Sequence, residues 1–177
     1  LRGYGGFNIG IEPHYIGPIA AFINRGGIFA EVGNRGGNEY GESWHQDGMQ
    51  FKKQNSFNDF IDAAEYLVKE KYTNPQKLAA DGRSNGGLLM GAITTQRPDL
   101  FKAVVCGVPL LDMIRFHKFL IARFWIPEYG DPDKKEDFDN LMKYSPYQNI
   151  KEDVNYPTMF VFAGENDTRV DPLYAKK

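Results

Sequence analysis

Lys77-Leu78-Ala79-Ala80-Asp81-Gly82-Arg83-Ser84-Asn85-Gly86-Gly87-Leu88-Leu89 is the stretch that decides the fold. A short apolar run ends at a glycine, a serine follows, and a second glycine comes two residues later. A small apolar, helix-compatible run then continues through Met90, Ala92 and Ile93. Gly82-Arg83-Ser84-Asn85-Gly86 fits G-x-S-x-G, a sharp strand-to-helix turn that lifts a serine hydroxyl clear of a sheet. Such a turn needs small residues two before and two after the serine. The helix start beyond it favours negative charge, which suits a developing oxyanion. The same residues also fit a glycine-rich turn carrying an idle serine.

The flanking chain repeats the strand-then-helix pattern. The run 27–32 reads as a strand after a glycine turn. Ser56 to Glu70 reads as a helix capped by Ser56, with Phe57, Phe60, Ile61, Ala64, Leu67 and Val68 on one apolar face. Leu78 to Asp81, Ala103 to Cys106 and Tyr156 to Ala163 read as buried strands, because continuous apolar runs suit a parallel sheet covered on both faces. Asp131 to Asp139 is a charge run expected as solvated loop and helix start. This alternation implies an α/β protein whose chemistry lies at the carboxyl ends of its strands. Three loops should therefore converge there: Tyr4 to Asn8, Gly82 to Gly87, and Gly164 to Arg169. The third carries Asp167, downstream of Ser84, in the Ser-then-acid order of α/β-hydrolases.

Composition narrows the classes. At 177 residues with 42% apolar and 14% aromatic residues, the chain suits one domain with a substantial core. A net charge of −2 with both signs mixed argues against nucleic acid as a partner. No apolar run reaches the ~18 residues that span a membrane, and no secretory leader is visible. The one cysteine, Cys106, excludes an internal disulfide and suits a reducing, cytoplasmic setting. Three dispersed histidines make no metal site, and no cofactor is expected. The glycine loop at the start and the helix beginning near Lys177 suggest a piece cut at both ends from something longer.

Four motifs in order carry a resemblance: Tyr4-Gly5-Gly6-Phe7-Asn8, the loop Asn34-Arg35-Gly36-Gly37-Asn38-Glu39-Tyr40-Gly41, Gly82 to Leu89, and Asp167-Thr168-Arg169-Val170. Together with Gln96-Arg97-Pro98-Asp99-Leu100-Phe101 and Lys143-Tyr144-Ser145-Pro146, they make nearly the whole chain resemble the prolyl oligopeptidase family. Asn85 separates it from oligopeptidase B, which usually has alanine there, and acylaminoacyl peptidases have another elbow. The resemblance implies an α/β-hydrolase domain of a serine peptidase that cleaves short peptides after proline. It also implies a β-propeller covering that domain, of which these residues carry no part. It matches Ser84 to the nucleophile and Asp167 to the acid that orients a histidine. Tyr4 and the Asn85 N–H match the oxyanion donors, and Arg169 the ligand of a substrate carbonyl. Trp125 matches the ring that stacks on proline. Phe7, Ile121, Tyr129 and Val170 match other pocket walls, as does Leu110, where a smaller residue is common.

Residue chemistry leaves alternatives beside these roles. Trp125 also suits a core position, Tyr4 a packing role, Asp167 a helix cap, and Arg169 an ion pair with Asp167 or Asp171. The base is the departure from the pattern. A serine needs one, and it should follow the acid, yet His14, His45 and His117 all precede Asp167. The expectation is a histidine beyond Lys177 in a longer enzyme, and negligible turnover by these residues alone. Two rivals stand beside the peptidase: a broad acyl hydrolase on the same fold, and a catalytically dead binding or assembly module.

Overall fold

The structure, a computed structural model, describes residues 1–176; Lys177 lies outside the described residues. Five parallel strands, β1 (Arg2–Gly3), β2 (Glu31–Val32), β3 (Ala79–Arg83), β4 (Ala103–Gly107) and β5 (Thr158–Phe162), form one sheet in the order β2-β1-β3-β4-β5. The chain steps outward from β1 to β2, crosses back to β3, and then runs on through β4 and β5. The topological switch therefore lies between β1 and β3, the position where open α/β sheets form their crevice. Tyr4 and Ser84 follow the carboxyl ends of those two strands.

Seven α-helices are described: α1 (Gly17–Ile23), α2 (Glu42–Gln46), α3 (Lys53–Lys69), α4 (Asn85–Gln96), α5 (Ile126–Tyr129), α6 (Lys135–Tyr144) and α7 (Leu173–Lys176). α4 is apolar all round, and every residue from Asn85 to Thr94 is buried against β3, β4 and α3, as expected of a central helix. α3 turns Phe57, Phe60, Ile61 and Ala64 to the core and its charged face to solvent. Each such aromatic or branched side chain contributes about 1.5–3 kcal/mol by leaving water.

Three expectations change. The helix begins at Lys53, because the 3₁₀ turn Gln50–Lys52 feeds straight into it. Ser56 is thus an interior, buried residue whose hydroxyl donates to the Gly5 carbonyl at 2.9 Å, and it is not the cap. The strand expected over 27–32 shrinks to Glu31–Val32, because β1 offers a ladder of only two residues. The strands are not buried on both faces. Ala80, Gly82, Val104 and Cys106 point under α4, but Ala79, Arg83 and Thr158 are exposed and Phe160 keeps 64% of its surface. The opposite face carries little beyond α1, so the apolar run of β5 stays half wet. Among the described residues no helix is long and apolar enough to cross a membrane.

Candidate active site

Ser84 sits in a strained conformation, φ 58° and ψ −119°, which a non-glycine residue adopts at a cost of about 1–3 kcal/mol. The turn is forced by its neighbours. A Cβ on Gly82 would overlap the Gly86 carbonyl, and one on Gly86 would crowd the Gly3 carbonyl of β1, so helix, elbow strand and β1 close onto each other only with glycine at both positions. The Ser84 N–H donates to the Gly107 carbonyl of β4 at 3.0 Å, while its own carbonyl accepts from Gly87 and Leu88 N–H at 2.8 and 3.1 Å. The Asn85 N–H meets no backbone acceptor among the described residues and opens α4, at the positive end of the helix.

Tyr4 comes from the facing loop and lines the same cavity as Ser84. Burial raises its pKa above the ordinary phenol value, so the hydroxyl stays protonated and able to donate. The loop behind it is tightly made. Gly5 has φ +62°, and a side chain there would collide with Asn34 and Ser56. The Asn85 side chain donates to the Tyr4 carbonyl at 2.6 Å and accepts from the Tyr129 hydroxyl at 2.9 Å, joining loop, elbow and α5.

Ser84 opens into a cavity of about 280 Å³ lined by Tyr4, Phe7, Leu110, Trp125, Tyr129 and Arg169, together with Ile9 and Phe124. Phe7 meets Trp125 and Tyr129 edge-on, with ring centroids 6.3 and 5.6 Å apart. Trp125 is nearly buried and belongs to the core as well as to the cavity wall. Ser84 also borders a larger, open cavity of about 840 Å³ between the elbow, α1 and the chain around His14.

Two expected wall residues lie elsewhere. Ile121 faces solvent in the irregular segment before Trp125, and Val170 points into the core. Asp167 does not line the Ser84 cavity; its Oδ1 accepts the N–H groups of Arg169 and Val170 at 2.8 and 2.9 Å, a turn that shapes its own loop. That turn takes the place of the helix cap weighed from sequence, since α7 begins only at Leu173. The exposed Arg169 forms no salt bridge with Asp167 or Asp171 among the described residues, and its charge reaches the Tyr4 hydroxyl. Among the described residues no histidine bonds to Ser84 or Asp167. His14 contacts the Glu12 carbonyl, His45 lies between Glu42 and Glu128, and His117 is 3.3 Å from Asp133.

A family model described as the prolyl oligopeptidase family matches residues 13–177. The chain belongs to that family. It is 51% identical over 179 residues to a prolyl endopeptidase of Dictyostelium discoideum and 46% identical over 178 to one of Elizabethkingia meningoseptica. These alignments cover 100% of this chain but 24% and 25% of those proteins. A solved structure from a study of two prolyl endopeptidases superposes with a TM-score of 0.98 at 53% identity, over 99% of this chain and 26% of that one. The fold is therefore that of the α/β-hydrolase catalytic domain of prolyl oligopeptidases, and the chain spans about a quarter of the length of the relatives it matches.

Within this family member, sequence reasoning missed Ile9 and Phe124 in the cavity wall. Both are exposed apolar side chains, Ile9 in a loop and Phe124 in the short 3₁₀ turn Ala122–Trp125, where no periodicity marks a face. It also missed the brace around Gly5. Asn34, in the second glycine loop, is buried and donates to the Ser56 carbonyl and hydroxyl at 2.9 and 3.0 Å, while Gly36 packs on the Gly5 carbonyl. The glycines of that loop hinted at close approach but not at what they approach.

Proposed function

We propose that this chain is the nucleophile-bearing part of a serine peptidase that cleaves short peptides on the carboxyl side of proline. The observation that carries this is the shared cavity: an elbow serine and a protonated tyrosine hydroxyl open onto a slot walled by Phe7, Trp125 and Tyr129. Proline is an apolar ring whose nitrogen carries no N–H in a peptide, so aromatic and aliphatic walls accept it without leaving a donor unpaired. Arg169 at the rim offers its guanidinium fork to a substrate carbonyl.

In the reaction, Ser84 Oγ attacks the carbonyl carbon of the prolyl residue, and the Oγ proton passes to a histidine outside this segment. The oxyanion is held by the Tyr4 hydroxyl and the Asn85 N–H, each worth about 2.7–4 kcal/mol to the transition state. The C–N bond then breaks, the leaving amine takes the proton from the histidine, and an acyl-Ser84 ester remains until water hydrolyses it. Asp167, with no hydrogen bond to Oδ2 among the described residues, holds the histidine through that oxygen.

The function belongs to a longer polypeptide that adds the base and a propeller restricting access to short peptides. The four-fold greater length of the relatives and the wet face of β5 support this. The one cysteine of these 177 residues, Cys106, is free and buried, which supports a reducing, cytoplasmic setting. The isolated segment lacks a base and should show almost no turnover. The test is cleavage of a prolyl reporter peptide by the full-length protein. We expect Ser84→Ala to abolish it and an alanyl peptide to be cut more slowly. Equal rates on prolyl peptides and simple acyl esters, with Trp125→Ala affecting both alike, would overturn the reading in favour of a broad acyl hydrolase. Failure of Ser84 to react with a fluorophosphonate would favour a dead module.

A further inference from the structure

Behind the cavity lies an ion pair with no place in the reaction just described. Lys53, the first residue of α3, is wholly buried, and Glu128 of α5 keeps 4% of its surface. Lys53 Nζ lies 3.2 Å from Glu128 Oε1 and donates to the Gly5 carbonyl at 2.9 Å. Glu128 Oε1 also accepts the Phe7 N–H at 3.1 Å, and Oε2 lies 2.9 Å from His45 Nε2. Lys53 Nζ further sits 5.4 Å from the centre of the Tyr129 ring. The pair thus grips the glycine loop at two points, the carbonyl of Gly5 and the amide of Phe7. Those points flank a segment that carries Tyr4 on one side and the Phe7 ring on the other.

A buried ion pair is an expensive way to fill a core. Apolar side chains of similar volume often do as well or better for stability. What this one supplies is direction, since it fixes a loop in which Gly5, Phe7 and Asn8 all have φ near +60° and which lacks sheet partners. We propose that Lys53 and Glu128 are positioning residues that set two properties together: the placement of the Tyr4 hydroxyl against the oxyanion, and the fit of Phe7 against proline. The inference rests on the peptidase reading for its catalytic consequence, but not for its structural one.

The test uses the full-length protein, with rates normalised to Ser84 sites titrated by a fluorophosphonate. Lys53→Met and Glu128→Leu each leave a buried charge unpaired and should destabilise the fold. The double variant removes both charges and should recover much of the lost thermal stability. If the pair positions the loop, the double variant still turns over about 10²-fold more slowly per titrated site, the scale set by a small misplacement. Its preference for prolyl over alanyl peptides should fall by about ten-fold, as expected when a pocket wall shifts. Tyr4→Phe, in contrast, should lower turnover while leaving that preference in place. Amide hydrogen exchange of Phe7 reads the same device without substrate and should speed up in the double variant. Wild-type kinetics in the double variant, or unchanged exchange at Phe7, would overturn the proposal. If the unaltered protein cuts no prolyl peptide, the catalytic reading fails by itself, and the exchange measurement still decides whether the pair holds the loop.

Discussion

The loop after β1 and the loop after β5 both carry site residues, but they are built differently. The first is held by the side chains of Asn85, Lys53, Ser56 and Glu128, and its glycines fit against Asn34 and Gly36. The second, with Asp167 and Arg169, is mostly exposed, shapes itself through the Asp167 carboxylate, and contains a Gly164 with open space around it. One side of the site is preorganised by the core. The other depends on what is brought to it. Oxyanion stabilisation needs donors fixed before reaction, because moving them during it costs free energy. An acid that orients a histidine takes its geometry partly from that histidine.

The contrast is broken most strongly through Asp167. Asp167→Asn keeps an Oδ1 acceptor for Arg169 and Val170, so the loop should hold its shape. On the proposed reading, turnover of the full-length protein should nevertheless fall by about 10⁴-fold, as expected when a catalytic histidine loses its orienting carboxylate. Steady-state kinetics beside a thermal melt would show a large rate loss with little stability loss.

On the proposed reading, Tyr4→Phe on the tight side should lower kcat by about 10²–10³-fold with KM nearly unchanged, as expected of a hydroxyl that donates to the oxyanion. A loss confined to KM would place Tyr4 in ground-state binding instead.

Stability should respond on the tight side. Gly5→Ala forces a side chain into a φ of +62° against Asn34 and Ser56, and should cost about 1–3 kcal/mol in chemical denaturation. The matching change at Gly164, where a Cβ meets nothing, should be nearly silent.

Alkali should probe the same side. Burial, with the Glu128 charge adding to it, raises the pKa of Tyr129 well above the phenol value of 10. Above pH ~10 the unfolded chain therefore releases a proton that the folded chain keeps. Stability present below that pH is lost as pH rises, by about 1.4 kcal/mol per pH unit for this residue. Denaturation curves at increasing pH should show the slope, to which the buried Tyr144 and Tyr174 add in the same direction, and Tyr129→Phe should reduce it by one residue's share.

The smallest effect belongs to the open side. Arg169→Lys keeps the charge but loses the planar fork, and should lower kcat/KM by about ten-fold, mainly through KM. A drop in thermal stability on that change would mean that Arg169 is a structural residue.

The sequence itself determined the nucleophile turn, since Gly82 and Gly86 are the residues that let strand and helix close around Ser84. It also determined the α/β class, because apolar runs and a 3.6-residue period are local properties. The aromatic slot was legible through Trp125, Phe7 and Tyr129 only once a resemblance ordered the motifs. Tertiary structure decided the rest. Ser56 reads as a helix cap until the turn Gln50–Lys52 extends α3 backward and buries it against Gly5. No pattern in the sequence marks Lys53 or Glu128 for burial, yet the fold puts them 3.2 Å apart beneath the loop that both hold. Ile121 and Val170 lie near pocket residues in sequence, yet the irregular segment turns one outward and the core takes the other. Period and motif record what a residue's neighbours along the chain require. Burial of a charge such as Lys53 depends on partners 48 and 75 residues away, and no local pattern encodes them.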